Sequence, residues 1–130
     1  MKEKLIKLLE NSYSPYSKYK VSSIVVMKDG NEFGGVNIEN ASYGATVCAE
    51  RIAIFNAISN GYKRKDFKEI YIMNATHKIG SSCFICRQVM SEMMDKSCKC
   101  VFMNIDGEEE VHTIEEICPY PFDDEDLKNI

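Results

Sequence analysis

The first segment of the chain has the spacing of hydrophobic positions that is typical of an amphipathic helix. From Lys2 to about Ser12 the aliphatic side chains fall on one helical face, opposite the charged ones: Leu5, Ile6, Leu8 and Leu9. Pro15 follows, and the residue before a proline is displaced from helical angles. We therefore predict a helix that ends before Pro15.

Two extended runs come next, and together they predict a β-hairpin. The run Val21–Met27 is rich in β-branched residues, and a second run extends from about Glu32 to Val36. Between them stands Asp29-Gly30, a pair that favours tight hairpin turns because it tolerates positive φ.

The rest of the chain alternates between helical and extended patterns. Helices are predicted from near Cys48 to about Ser59 and from Cys83 to about Asp95. Strands are predicted over Phe67–Ala75, Cys98–Met103 and Glu109–Thr113. Irregular structure is expected over Asn37–Thr46, Thr76–Ser82 and the tail with Pro119, Pro121 and an acidic turn, Asp123–Asp126. The order α-β-β-α-β-α-β-β predicts an α/β fold, with one mixed sheet and helices on its faces, in a single domain over residues 1–130.

Composition and charge narrow the classes of function. The chain has 130 residues, of which 45% are hydrophobic, enough for one core, and its formal net charge is −4. The densest basic run, residues 63–65, is expected in a solvated loop, so no nucleic-acid partner is expected. No apolar run approaches the roughly 20 residues of a membrane helix, and the first residues lack the apolar stretch of a signal peptide. We expect a cytoplasmic protein with no membrane partner.

The six cysteines are the residues that point to chemistry. Without a visible export signal they favour metal binding and burial over disulfides. Two groups stand at predicted loop-to-helix junctions, Cys48-Ala49-Glu50 and Cys83-Phe84-Ile85-Cys86. The positive end of a helix dipole stabilises a thiolate, and an i, i+3 spacing places two sulfurs on one side of the first turn. Three thiolates would supply three of the four ligands of a tetrahedral zinc site.

The carboxylate two residues after Cys48 favours a catalytic site over a structural one. A structural site fills its fourth position with another Cys or His, whereas a catalytic site leaves it to water, whose pKa zinc lowers to about 7. Glu50 is near enough in sequence to reach such a water without being a ligand. It can then pass a proton to a substrate nitrogen.

Taken together, these motifs resemble the short homotetrameric cytidine deaminases, and the resemblance covers nearly the whole chain. It is carried by five stretches: Tyr16–Val21, Asn37–Gly44, Cys48–Arg51, Cys83–Val89 and Pro121–Leu127. The resemblance implies a three-layer α-β-α sandwich around a five-stranded mixed sheet. It also implies hydrolytic deamination of cytidine and 2′-deoxycytidine in pyrimidine salvage.

The resemblance implies a metal centre with defined neighbours. One Zn²⁺ per subunit would be bound by Cys48, Cys83 and Cys86, with hydroxide attacking C4 of the pyrimidine and Glu50 as the proton shuttle. Hydrogen bonds from Arg51 and Arg87 to the thiolates would offset the negative charge of a three-thiolate site.

The resemblance further implies how a nucleoside would be bound. Asn37 and Glu39 would bind the ribose 3′-hydroxyl, the backbone of Ala49 would meet the pyrimidine carbonyl, and Tyr19 would pack against the nucleoside. Phe122 would stack on the base in a neighbouring subunit's pocket, so that a homotetramer shares its active sites.

The chain departs from the family pattern beside the second cysteine motif and in the first strand. Ser82 stands where the family usually has proline, and Phe84 and Ile85 replace small residues. Ser22 and Ser23 stand where the first strand usually has Gly and Ala. The changes near Cys83 leave the shape of the pocket, and so its substrate preference and rate, open.

Two alternatives remain at this point. One is a related deaminase that acts on a modified cytosine nucleoside or a cytosine-containing antibiotic of the blasticidin S type. The other is a non-catalytic zinc module that is closed by a fourth cysteine, Cys98 or Cys100. Otherwise these two and Cys118 are expected to be small buried apolar residues.

Overall fold

The computed structural model describes residues 1–128, and its centre is a mixed five-stranded sheet in the order β2-β1-β3-β4-β5. The strands are β1 (Val21–Met27), β2 (Glu32–Val36), β3 (Phe67–Asn74), β4 (Lys99–Met103) and β5 (Glu109–Thr113). β3 and β4 pair in parallel, and the other neighbours pair antiparallel. The predicted mixed sheet is confirmed, and the hairpin turns at Gly30, whose φ is 93°.

Helices cover both faces of the sheet, which gives three layers. They are α1 (Lys2–Leu9), α2 (Ala49–Ser59), α3 (Phe84–Met93), α4 (Ile114–Ile117) and α5 (Asp124–Lys128). On β1, Ile24 packs with Leu5 of α1, whereas its neighbour Val25 packs with Ile54 of α2 and Met90 of α3. Successive strand residues point to opposite faces, so a strand covered on both faces is buried throughout, and its two serines, Ser22 and Ser23, donate to backbone carbonyls. The predicted α-β-α sandwich is confirmed.

The largest differences from the predicted elements lie at the two ends of the chain. α1 ends at Leu9, short of the predicted limit near Ser12, because the amides of residues 10–12 bond to carbonyls three residues back and tighten the chain out of the α-helix. α4 begins with a capping box in which the Thr113 hydroxyl accepts from the amide of Glu116 and the Glu116 carboxylate accepts from the amide of Thr113. The predicted acidic turn is extended into α5, whose acidic first turn suits the positive end of the helix dipole.

The cysteines outside the two motifs are placed mostly as predicted. Cys98 and Cys100 are buried in the core between the sheet and α2 and α3. Cys118 is only half-buried, which corrects the prediction of burial, because it follows the last residue of α4.

The position of α2 depends on the absence of a side chain at Gly35 in β2. A Cβ there would lie 2.5 Å from the amide nitrogen of Ala53 and 2.7 Å from the carbonyl oxygen of Ala49. Both contacts are to backbone and cannot be relieved by a rotamer change. Gly35 therefore lets the first turns of α2, which carry Glu50, lie directly against the sheet.

Along the described chain, no helix combines the length and the apolar character that crossing a bilayer requires.

Candidate active site

Two helix N-termini bring the three motif cysteines together. Cys48 is the N-cap of α2 and Cys83 the N-cap of α3, and both have extended backbone angles. Cys86 lies in the first turn of α3, one turn beyond Cys83. The segment before Cys48 is held by antiparallel bridging of Ile38 and Val47. Each cysteine thus stands at the positive end of a helix, where a thiolate is stabilised.

The sulfur atoms have the spacing that a tetrahedral zinc site requires. The Sγ atoms of Cys48, Cys83 and Cys86 all lie within 4.8 Å of one another, and those of Cys48 and Cys83 are 3.8 Å apart. Tetrahedral zinc with Zn–S bonds of about 2.3 Å separates its sulfurs by about 3.8 Å. The donor set therefore fits zinc.

The described residues supply three ligands to this cluster rather than four. In residues 1–128 no fourth Cys, His or carboxylate belongs to the cluster, although Cys98 and Cys100 were the candidates for closing it. The thiol of Cys98 instead donates to the carbonyl of Phe67 at 3.4 Å, and Cys100 is fully buried in β4. Three protein ligands are the pattern of a catalytic site that keeps one position for water.

The two coupled thiols, Cys48 and Cys86, differ in how readily they ionise. A hydrogen bond from Cys86, together with Arg51, lowers the pKa of Cys48 to about 5. Arg51 donates from Nη2 to Cys48 Sγ at 3.6 Å, the contact that the sequence resemblance implies. The hydrogen bond to Cys48, followed by burial, raises the pKa of Cys86, so this thiol keeps its proton until a metal displaces it.

A cavity of about 330 Å³ opens beside the cluster. Its wall is drawn from the loop before β1, the segment after β2, the start of α2 and the loop before α3. The lining includes two of the three cysteines, Cys48 and Cys83, and the carboxylates of Glu39 and Glu50. This volume is in the range of pockets that hold small organic ligands.

Glu50 stands between the cavity and the protein interior. It is only 4% exposed, in the first turn of α2, and burial raises the pKa of its carboxyl group, while a hydrogen bond from Ser82 lowers it. Ser82 donates from Oγ to Glu50 Oε2. A buried carboxyl group with a raised pKa can both accept and hold a proton, as a general acid–base residue must.

The residues predicted to bind a nucleoside also line this cavity: Tyr19, Asn37, Glu39 and Ala49. The side chain of Asn37 is held by two backbone groups: its Nδ2 donates to the carbonyl of Tyr19 at 2.7 Å, and its Oδ1 accepts from the amide of Val21 at 3.0 Å. Glu39 accepts from the amides of Tyr16 and Ser17 at 3.0 and 3.1 Å. Their orientations are thus fixed by backbone groups.

Two further residues from the sequence prediction, Arg87 and Phe122, do not line this cavity. The Arg87 guanidinium donates to the carbonyls of Ser82 and Ile117 at 2.7 and 2.9 Å and stacks 4.4 Å from the centre of the Phe84 ring. These carbonyl contacts replace the predicted bond to a thiolate, because the side chain runs back along the loop before α3. Phe122 is 58% exposed, away from this chain's own cavity.

Sequence reasoning missed the residues that shape the loop before α3. Asn74 ends β3, is buried, and donates from Nδ2 to the carbonyl of Lys78 at 3.1 Å. A Cβ on Gly80 would lie 2.8 Å from both Asn74 Nδ2 and the Tyr19 hydroxyl. A polar residue at the end of an apolar strand was the available signal for Asn74, whereas no local pattern distinguishes Gly80 or Ser82.

Comparison with known proteins finds related sequences and folds. The family model described as "Cytidine and deoxycytidylate deaminase zinc-binding region" matches residues 1–103. The chain is 40% identical over 124 residues to the cytidine deaminase of Halalkalibacterium halodurans, covering 95% of this chain and 92% of that protein. It is 32% identical over 128 residues to the blasticidin-S deaminase of Bacillus cereus, covering 92% and 85%. A crystal structure of cytidine deaminase from Burkholderia pseudomallei superimposes with a TM-score of 0.88 at 38% identity, covering 92% of this chain and 94% of that one.

Proposed function

The chain belongs to the cytidine and deoxycytidylate deaminase family, and from this premise we propose that it hydrolyses cytidine and 2′-deoxycytidine to uridine and 2′-deoxyuridine. It is a zinc-dependent deaminase, a hydrolase of the C–N bond in a cyclic amidine. The observation that carries the proposal is the three-sulfur cluster beside a buried carboxylate in one cavity.

Cys48, Cys83 and Cys86 would hold the zinc, and Glu50 would move the protons. Bound zinc lowers the pKa of a water ligand to about 7 and so supplies hydroxide at neutral pH. Glu50 accepts the proton that the water loses and passes it to N3 of the pyrimidine while the C–O bond forms at C4. It then takes the proton of the new C4 hydroxyl group and delivers it to the amino group, so that the C4 carbonyl forms as the C–N bond breaks and ammonia leaves. Its burial beside the cavity supports this role, because a carboxyl group there holds a proton readily.

The sugar and base contacts follow from the lining of the cavity. Asn37 and Glu39 bind the ribose 3′-hydroxyl, which cytidine and 2′-deoxycytidine share. The amide of Ala49, at the N-terminus of α2, donates to the pyrimidine carbonyl, and Tyr19 packs against the nucleoside. Two of these residues, Asn37 and Glu39, line the cavity with orientations that are set by contacts to backbone groups.

The charge of the cavity favours a nucleoside over a nucleotide. Glu39 and Glu50 line it, and among the described residues no lysine or arginine does. A phosphate group usually needs cationic or backbone N–H partners, and here it would meet carboxylates instead. The substrate class is therefore the free nucleoside.

A panel of cytosine compounds tests the proposal. Zinc-loaded protein is mixed with cytidine, 2′-deoxycytidine, CMP, dCMP and blasticidin S, and the change in ultraviolet absorbance is followed. Turnover of both nucleosides is expected, with kcat/KM for the two nucleotides lower by about 10²-fold or more, since one unfavourable charge contact of about 3 kcal/mol has that effect. A preference for dCMP would contradict the nucleoside assignment.

Blasticidin S is included because of the Bacillus cereus relative, which is 32% identical to this chain. Preferential turnover of the antibiotic would favour that second function. Phe84 and Ile85 follow Cys83 directly and are exposed, so their bulk would then be the first candidate cause of the changed substrate preference.

The assembly proposed for this single-domain enzyme is a cytoplasmic homotetramer that acts in pyrimidine salvage. Phe84, Ile85 and Phe122 are 71%, 64% and 58% exposed, and exposed large apolar side chains of this kind favour burial in an interface. The free thiols of the cluster suit a reducing compartment. In the assembly Phe122 stacks on the base in a neighbouring subunit's pocket.

Replacing Phe122 by alanine is expected to raise KM for cytidine by about 5- to 150-fold, because a base–aromatic stack contributes about 1–3 kcal/mol. Tyr120→Ala is the matched control, since Tyr120 is an exposed aromatic of the same segment. Steady-state kinetics measures the effect of Phe122 on KM, and sedimentation equilibrium measures the number of subunits in the assembly. An active monomer, or equal KM values for the two variants, would rule out shared sites.

A further inference from the structure

We propose that Ser82 is a positioning residue for Glu50: its hydroxyl holds one carboxylate oxygen, so that the other faces the reacting atoms. Ser82 donates from Oγ to Glu50 Oε2 across 32 residues of sequence. The inference rests on the proposed function of Glu50 as the proton-transferring group.

The contact is buried on both sides. Ser82 and Glu50 are each 4% exposed, so water does not compete freely for either group. In residues 1–128, Ser82 is the side chain that donates a hydrogen bond to this carboxylate. A buried, charge-assisted hydrogen bond of this kind restrains the orientation of a carboxylate strongly.

Ser82 is itself held in place from the other side. Its carbonyl accepts from Nε of Arg87 at 2.7 Å, and the same guanidinium donates to the carbonyl of Ile117 at 2.9 Å. The amide of Arg87 in turn donates to the carbonyl of Cys83 at 3.0 Å. The backbone that carries the hydroxyl is therefore tied to α3 and to α4, and it does not depend on Glu50 for its position.

The location of Ser82 separates its effect from substrate binding. Glu50 lines the cavity together with Ser81 and Cys83, whereas Ser82 lies behind the carboxylate and outside that lining. Removing the hydroxyl therefore leaves the surface that meets the nucleoside unchanged. It frees the Glu50 side chain to adopt other rotamers, which lowers the fraction of molecules in the productive geometry.

The test is steady-state kinetics of Ser82→Ala with cytidine. We expect kcat to fall by about 10- to 100-fold with KM within about twofold of the unaltered enzyme, because misplacing a reacting group by about 1 Å has effects of this size. Zinc content should be unchanged. Ser82→Thr and Ser82→Val introduce side chains of nearly the same shape, of which only threonine keeps the hydroxyl. The threonine variant should therefore retain most of kcat, and the valine variant should not.

A buried serine far from the cluster controls for a general loss of stability. Ser23 is fully buried and donates to the carbonyl of Tyr71 at 2.8 Å, so Ser23→Ala removes a comparable hydrogen bond. Its melting temperature should fall while its kcat stays the same. If Ser82→Ala fails to fold, the threonine and valine variants still decide the question.

Coupling to Glu50 identifies the mechanism. In a Glu50→Gln background, Ser82→Ala should cause no further loss of kcat, because the two residues act as one unit. A kcat for Ser82→Ala within about twofold of the unaltered enzyme, equal kcat values for the threonine and valine variants, or an additive double variant would overturn the proposal. Failure of the unaltered protein to deaminate cytidine would instead overturn the proposed function.

Discussion

Glu50→Gln is expected to lower kcat for cytidine by about 10²- to 10⁴-fold, the range that positioned acid–base groups contribute. The amide has nearly the size of the carboxyl group and can still accept the hydrogen bond from Ser82, so the fold should persist. It cannot take up a proton at neutral pH, and the transfers to N3 and to the leaving amine both require one. The loss of absorbance of cytidine measures the rate.

Zinc content distinguishes a loss of proton transfer from a loss of the metal centre. Glu50 is not one of the clustered ligands, so Glu50→Gln should bind the metal as before. Glu115→Gln, an exposed carboxylate in α4, makes the same chemical change far from the cavity and should retain full kcat. A Glu50→Gln variant with the activity of this control would falsify the shuttle.

Cys83→Ser is expected to remove both the metal and the activity. The hydroxyl group of serine is a poor donor to zinc compared with thiolate, and the two remaining sulfurs would hold it at least about 10²-fold more weakly, since even residues that only support a ligand affect the affinity by 10- to 100-fold. Cys83 is exposed, so the substitution leaves no cavity in the core. Metal analysis by mass spectrometry after dialysis, with the deamination rate, measures both effects.

The other cysteines separate a catalytic site from a structural one. Cys118→Ser is the matched control, because this half-buried thiol lies outside the cluster and should leave zinc and kcat unchanged. Cys98→Ser and Cys100→Ser address the alternative of a four-cysteine module. Release of zinc from either variant, with the fold intact by circular dichroism, would show that the protein itself closes the fourth position.

Patterns that depend on close neighbours in sequence were enough to predict most of the elements. Val21–Met27, Glu32–Val36 and Glu109–Thr113 form strands with the predicted limits. The first is a run of buried and β-branched residues, and the other two lie beside turns that the sequence marks with Asp29-Gly30 and Asp106-Gly107. The capping box of α4 was present in the sequence as Thr113 and Glu116, yet a helix of one turn has too little periodicity to stand out. For the same reason the acidic segment before Leu127 was expected to be a turn.

The candidate site was likewise predictable only where it depends on residues close in sequence. The spacing of Cys83 and Cys86, and of Cys48 and Glu50, could be interpreted from the sequence because each pair spans one helical turn or less. That the two groups form one site was a hypothesis from their shared position at predicted helix starts, which the resemblance to a family supported. The 3.8 Å between the Sγ atoms of Cys48 and Cys83 depends on how the N-termini of α2 and α3 are placed against the sheet.

The sequence by itself therefore predicted the candidate ligands, the candidate acid–base residue and the order of the strands and the three longer helices. Only the tertiary structure showed which residues far apart in sequence are in contact. Ser82 donates to Glu50, Arg87 donates to the carbonyls of Ser82 and Ile117, and α2 packs closely over Gly35. Periodicity records which face of an element is buried, but it carries no information on which distant side chain lies opposite. These contacts depend on how the elements pack in three dimensions, where the Ser82 hydroxyl or the absence of a Cβ at Gly35 determines which group can lie opposite.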